Sequence, residues 1–204
     1  MTLLSLLLRG GILMYVLLLI SIAMIGIVIE KYWQLSRVTK ANQALAAALK
    51  GQNKLSDMRN TLSQHERSCP LGIMLDKLFN AQTEDAGLIN QSMESAANLE
   101  LHRLEKGMGW LSTFAAVAPL IGFLGTVIGM VRVFMRIQEY SSVGVDISIL
   151  AGGIWEALLT TVGGLIVGII AIIFYNDLIQ KLENIVKNMQ ESGIEYTIRM
   201  RNLA

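Results

Sequence analysis

The chain has 204 residues, of which 53% are hydrophobic and only 16% charged. Soluble domains carry about 25% charged residues, so an ordinary soluble globule is excluded. A net charge of +1 leaves no electrostatic footprint for nucleic acid, and the single cysteine, Cys69, rules out an internal disulfide.

A membrane-spanning helix needs about 20 mostly apolar residues, because the hydrocarbon core is roughly 30 Å thick and each residue rises about 1.5 Å. Residues 11–29 (GILMYVLLLISIAMIGIVI) meet that need without a charge. They are expected to be a retained anchor rather than a signal peptide. Only Arg9 precedes them, the apolar run is long, and no small-residue cleavage site follows before Glu30 and Lys31. Residues 1–29 thus read as an outer amino terminus and first span, and 30–109 as a polar helical region. Within it, Ala, Leu, Lys and Gln favour a helix from Glu30 to Leu49, with Trp33, Leu45 and Leu49 at helical spacing. Gly51 and Asn53 break it, and a second helix reaches about Glu66 before a turn at Ser68-Cys69-Pro70. Leu71 to Ala81 and Asp85 to Trp110 read as two more helices, the latter running straight into a second span over 110–135. A short loop over 136–146 leads to a third span, 147–175, and an amphipathic helical tail over 176–204. The fold class is an all-α integral membrane protein.

Orientation follows from Lys and Arg near the span ends. Lys31, Arg37, Lys40, Arg103, Lys106, Lys181 and Lys187 border one side, against Arg9, Arg132 and Arg136 on the other. The bias puts the amino terminus outside and both the 30–109 region and the carboxyl tail inside.

Polar residues inside the spans carry the functional argument. Glu156 is the one acid within the third span. A carboxylate at mid-membrane costs about 2.5–3.5 kcal/mol on insertion scales, so such acids usually face a bundle interior or a wet cavity. Helical geometry puts Glu156, Thr160, Gly163 and Val167 on one face, with Thr161 round the side. The plainer alternative has Glu156 reaching to the outer interface and the threonines bonding their own backbone. Thr126 sits among Gly122, Gly125 and Gly129, whose spacing makes a smooth face for close helix approach; Gly164 and Gly168 repeat the pattern in the third span. Pro119 removes one backbone donor and is expected to kink the second span. Arg132 and Arg136 most simply anchor the outer end of that span, with the acidic groups of a partner as the alternative contact. His65 and His102 read as solvated, Cys69 as a reduced thiol, and the methionines as core filler. No nucleophile–base pair, phosphate loop or metal spacing appears, so neither enzyme activity nor a cofactor is expected.

The stretch AAVAPLIGFLGTVIGMVRVF (115–134) resembles the second-span signature of the ExbB/TolQ/MotA family, and LAGGIWEALLTTVGGLIVGIIAIIFYN (150–176) resembles its third span. The segment GGILMYVLLLISIAMIGIVIEKYW fits its first. The resemblance implies a pentamer whose second and third spans line a pore holding a dimer of single-span ExbD/TolR/MotB-type helices. Proton flow through it would drive mechanical work, with a TonB- or TolA-type protein as a further partner. Matched onto the motif, Thr126 and Thr161 correspond to the pore threonines and Glu156 to the nearby acid, with adjacent Thr160 an open alternative. The retained acid favours the ExbB/TolQ side over the flagellar one. Two departures stand out. Gly168-Ile169-Ile170-Ala171 lacks the family's usual proline, which implies a straighter third helix, and Trp155 is bulkier than the usual residue before the acid. The competing readings are a gliding or flagellar-type stator of the same family, or a three-span scaffold without ion conduction.

Overall fold

The computed structural model describes residues 11–52, 54–65, 69–80, 85–139 and 147–203. Arg9, Asn53, Glu66, Ser68, Ala81 and positions 140–146, where a short loop is expected, lie outside the described residues. Every regular element among the described residues is a helix: α1 Gly11–Lys50, α2 Leu55–His65, α3 Pro70–Phe79, α4 Ala86–Glu105, α5 Gly109–Glu139 and α6 Ile147–Leu203. Three of them, α1, α5 and α6, contain stretches long and apolar enough to cross a membrane.

The ends follow local chemistry. α1 stops at Lys50, followed by Gly51, a residue suited to helix termination. α3 opens with Pro70 at its first turn, where a missing N–H costs nothing, after an extended Cys69. At α4 the Asp85 carboxylate caps the free N–H of Gly87 at 2.8 Å. One expectation is corrected here. The helix before the second span does not run straight into it: α4 ends at Glu105, Gly107 takes φ 93°, and α5 starts anew at Gly109. A left-handed residue cannot continue a right-handed helix, and glycine adopts it without a Cβ penalty.

The chain divides into two compact units. One joins Met1–Ile29 to Gly107–Asn176, with a small core of Met14, Leu17 and Ala118 supported by Ile121, Leu159 and Val167. The apolar side chains pointing outward from it, such as Leu19, Phe123, Phe134 and Ile173, are exposed, as lipid contact requires.

The other unit joins Glu30–Lys106 to Asp177–Ala204. Leu35, Leu45, Leu49, Met58, Leu71, Leu75 and Leu178 fill it. Polar ties fix its helices. The Asn42 side chain accepts from the Leu71 N–H at 3.2 Å. Lys31, read from sequence as a charge beside the membrane, is buried and donates to the Leu104 carbonyl at 3.2 Å and to Gln34 at 2.9 Å. The Tyr32 hydroxyl donates to Asp177, which also pairs with Lys181.

Candidate functional site

Within the membrane unit, α5 and α6 meet along their glycines. A Cβ on Gly122 would lie 2.9 Å from the Thr160 carbonyl, and one on Gly164 would lie 2.9 Å from Gly122 Cα. Gly125 faces the Thr160 side chain, Gly129 faces Ala157, and Gly168 faces the Pro119 ring at 2.7 Å. Each step of three or four along α5 is thus matched by one step back along α6, which defines an antiparallel register. Backbones approach this closely only where side chains are absent, and dispersion over the shared face holds the pair without a hydrophobic driving force. α5 passes through Pro119 as one unbroken helix, with the ring half-buried over Gly168.

The register decides what each threonine does. Thr160 is buried against Gly125 and donates to the Ala157 carbonyl of its own helix at 2.7 Å. Thr161 is half-buried and donates across to the Gly122 carbonyl at 2.9 Å, tying α6 to α5. Thr126 is also half-buried and donates to the Phe123 carbonyl at 2.7 Å. All three hydroxyl protons are held by carbonyls, which leaves each oxygen able to accept a further hydrogen bond.

Glu156 lies in the first three turns of α6. Its carboxylate approaches the Arg132 guanidinium at 3.7 Å, with both side chains partly exposed. They share a cleft of about 280 Å³ with Arg136 and the backbones of Gly129, Gly152 and Gly153. Gly11, the first residue of α1, packs against the same carboxylate at φ 66°, and a side chain there would have to push the carboxylate aside. Gly163 meets Met14, so the face of α6 bearing Glu156 and Gly163 is turned to α1. Trp155 is exposed, as a residue facing lipid or another chain would be.

Sequence reasoning missed two members of this arrangement. Sequence offers Arg132 as an anchor or as a contact for a partner's acids, whereas the antiparallel glycine register brings its turn of α5 level with this chain's own Glu156. Gly11 carries no signal beyond its glycine. His102 is exposed near the end of α4, and the His65 side chain lies outside the described residues. Among the described residues no group of His, Cys, Asp and Glu is arranged to hold a metal ion.

Comparison with known proteins bears on this geometry. Residues 70–191, which include α5 and the membrane part of α6, match the MotA/TolQ/ExbB proton channel family. The chain belongs to that family. It is 30% identical to the biopolymer transport protein ExbB-like 1 of Synechocystis sp. over 174 residues, covering 84% of this chain and 68% of the relative. An ExbB homologue of Methanothermobacter thermautotrophicus is 26% identical over 201 residues, covering 94% and 70%. The Tol-Pal system protein TolQ of Haemophilus influenzae is 34% identical over 107 residues, covering 52% and 46%. Membership in a proton channel family gives the intramembrane acid and hydroxyls a chemical context that packing alone does not, and it is not a known enzyme family.

Proposed function

We propose that the chain is the channel-forming subunit of a bacterial inner-membrane motor that converts proton motive force into mechanical work. The process it serves is ExbB-like energising of outer-membrane transport or its TolQ-like counterpart. The observation that carries this reading is the glycine-packed α5–α6 pair bearing Thr161, Thr126 and the one carboxylate of the third span. In this reading five copies surround a dimer of single-span ExbD/TolR-type helices, with a TonB- or TolA-type protein beyond. The amino terminus is periplasmic and the carboxyl terminus cytoplasmic, in keeping with the Lys and Arg bias. The chain's own acid and hydroxyls are too few for a complete relay, so the partner supplies the titrating group that carries the proton. Thr126 and Thr161 offer acceptor oxygens along its path. Thr160, buried between its own two helices, packs them instead. Each proton crossing 100 mV yields about 2.3 kcal/mol, enough to drive a step when flow and movement are coupled.

Co-expression of the tagged chain with its neighbouring genes tests the assembly, with stoichiometry read by native mass spectrometry. Five copies with two single-span chains are expected; a monomer or dimer with no such partner would sink the motor reading. Glu156→Ala and Thr161→Ala are each expected to leave that assembly intact while abolishing proton-driven work. Their normal growth, under conditions that require the motor, would remove these residues from the pathway and favour the scaffold alternative.

A further inference from the structure

Within the polar unit, α1 and α6 form the walls of a groove. The cavity at its acidic end holds about 340 Å³ and is floored by Leu71, Ile185 and Met189. A second cavity of about 520 Å³ continues it, since Thr39, Gln43, Ile185 and Asn188 line both.

The walls carry carboxamides. Asn42 and Gln43 stand on α1, and Asn184 and Asn188, one turn apart, stand on α6. Asn42 is only 8% exposed, and its side-chain oxygen takes the Leu71 N–H. Its amide N–H groups meet no acceptor among the described residues and open on the cavity. Gln43, Asn184 and Asn188 likewise make no side-chain hydrogen bond among the described residues. A buried donor left open calls for an acceptor from outside the fold. A carboxamide offers two donors and an acceptor, the complement of a peptide group, so a run of them can hold main chain of any sequence. From Asn184 to Glu195 is eleven residues, about 16 Å of helix. That length matches about five residues of extended chain at about 3.3 Å each.

Charge selects the side chain. Glu191 and Glu195, one turn apart, line the acidic end, and no lysine or arginine does. Glu191 has no ion pair among the described residues. Glu195 is answered by Arg199 only loosely, at 3.9 Å. A basic side chain is therefore favoured at the Glu191 end and disfavoured at the end lined by Lys40.

We propose that this groove docks an extended peptide segment of a partner protein, about five residues long, with a Lys or Arg at the Glu191 end. Asn42, Gln43 and Asn188 hold its main chain, Glu191 and Glu195 its cation, and the apolar floor its inward side chains. The site goes beyond the channel reading and does not depend on ion conduction.

Saturation-transfer NMR on the detergent-solubilised full-length chain tests it, because that method reads weak binding. The probes are capped pentapeptide pools with Lys, Glu or Leu fixed at a terminal position and the other positions mixed. The Lys pool is expected to bind more tightly than the Glu pool. Glu191→Gln is expected to weaken the Lys pool about threefold, as for an exposed ion pair, and to leave the Leu pool unchanged. Asn188→Ala is expected to weaken every pool by a similar factor, because main chain is common to all. Both side chains are exposed, and thermal unfolding of each variant checks that it folds. Equal binding of the Lys and Glu pools, or no saturation transfer to any pool, would overturn the proposal. So would a Lys preference untouched in folded Glu191→Gln, or pools indifferent to Asn188→Ala. Displacement of the Lys pool by n-butylammonium at matched concentration would also overturn it, by marking a site for cations alone.

Discussion

A carboxylate inside a span is tolerated when its charge is answered, and Glu156 has Arg132 at 3.7 Å. With both side chains more than a third exposed, losing the pair costs only about 0–1 kcal/mol, but facing Glu156 with a second carboxylate adds repulsion. Arg132→Glu is therefore expected to lower the amount of folded chain in the membrane several-fold, and the exchanged pair Arg132→Glu with Glu156→Arg to recover most of it. Quantitative blotting of membrane fractions reads both, and a double variant no better than the single would dissolve the pairing. Tyr32 gives a second test at this scale. Burial, and then the Asp177 carboxylate, push its phenol from 10.0 up to about 12. The folded chain holds that proton more tightly than the unfolded one, so the stability it brings is full below pH 10.0 and is lost as pH rises towards about 12. Lys181, and then Tyr32, hold Asp177 below the usual carboxylate range. Thermal unfolding in detergent across that alkaline window should show a steeper loss for the native chain than for Tyr32→Phe. Identical slopes would contradict the assignment.

Among the elements, the junction of α4 and α5 rests on one backbone angle. Ala at position 107 would pay about 1–2 kcal/mol to hold φ 93°. Gly107→Ala should lower the unfolding midpoint, and an unchanged midpoint would mean the two helices can join there without strain. That break was not legible in the sequence, because the residues on both sides favour helix and glycines inside a helical pattern, here Gly107 and Gly109, are ambiguous. The spans were legible, since length and unbroken apolarity are local properties. So was the small-residue face of α5, because Gly122, Gly125 and Gly129 share a stripe whatever they touch. Which turn of α6 each would meet was not. Register is a tertiary outcome, and it separates buried Thr160 from part-exposed Thr161 and brings Arg132 to Glu156.

For the chain as a whole, the single cysteine is a reporter. Cys69 is buried, and burial pushes its thiol up from the ordinary value. Maleimide should label the native protein slowly and the denatured protein fast, because the thiolate is the reacting species; rapid native labelling would show that α3 does not pack as described. Lys31 shows how far the sequence carries at this scale. Counted as one of the charges that orient the chain, it also closes a buried bond to the end of α4, seventy-three residues away. Internal packing draws on a residue that composition presents only as a charge.

The contact of Pro119 with Gly168 has a consequence for heredity. The proline withholds the N–H that the Ala115 carbonyl would otherwise receive, and that same carbonyl lies 3.1 Å from where a Cβ of residue 168 would stand. The ring and the bare glycine are therefore one compound character split between two helices. Any bulkier residue at 168 strikes the ring while the proline remains, and loss of the proline removes that contact but leaves the Ala115 carbonyl close to a Cβ there. Mutational drift should therefore be ordered, with a small side chain entering at 168 only after the proline has gone.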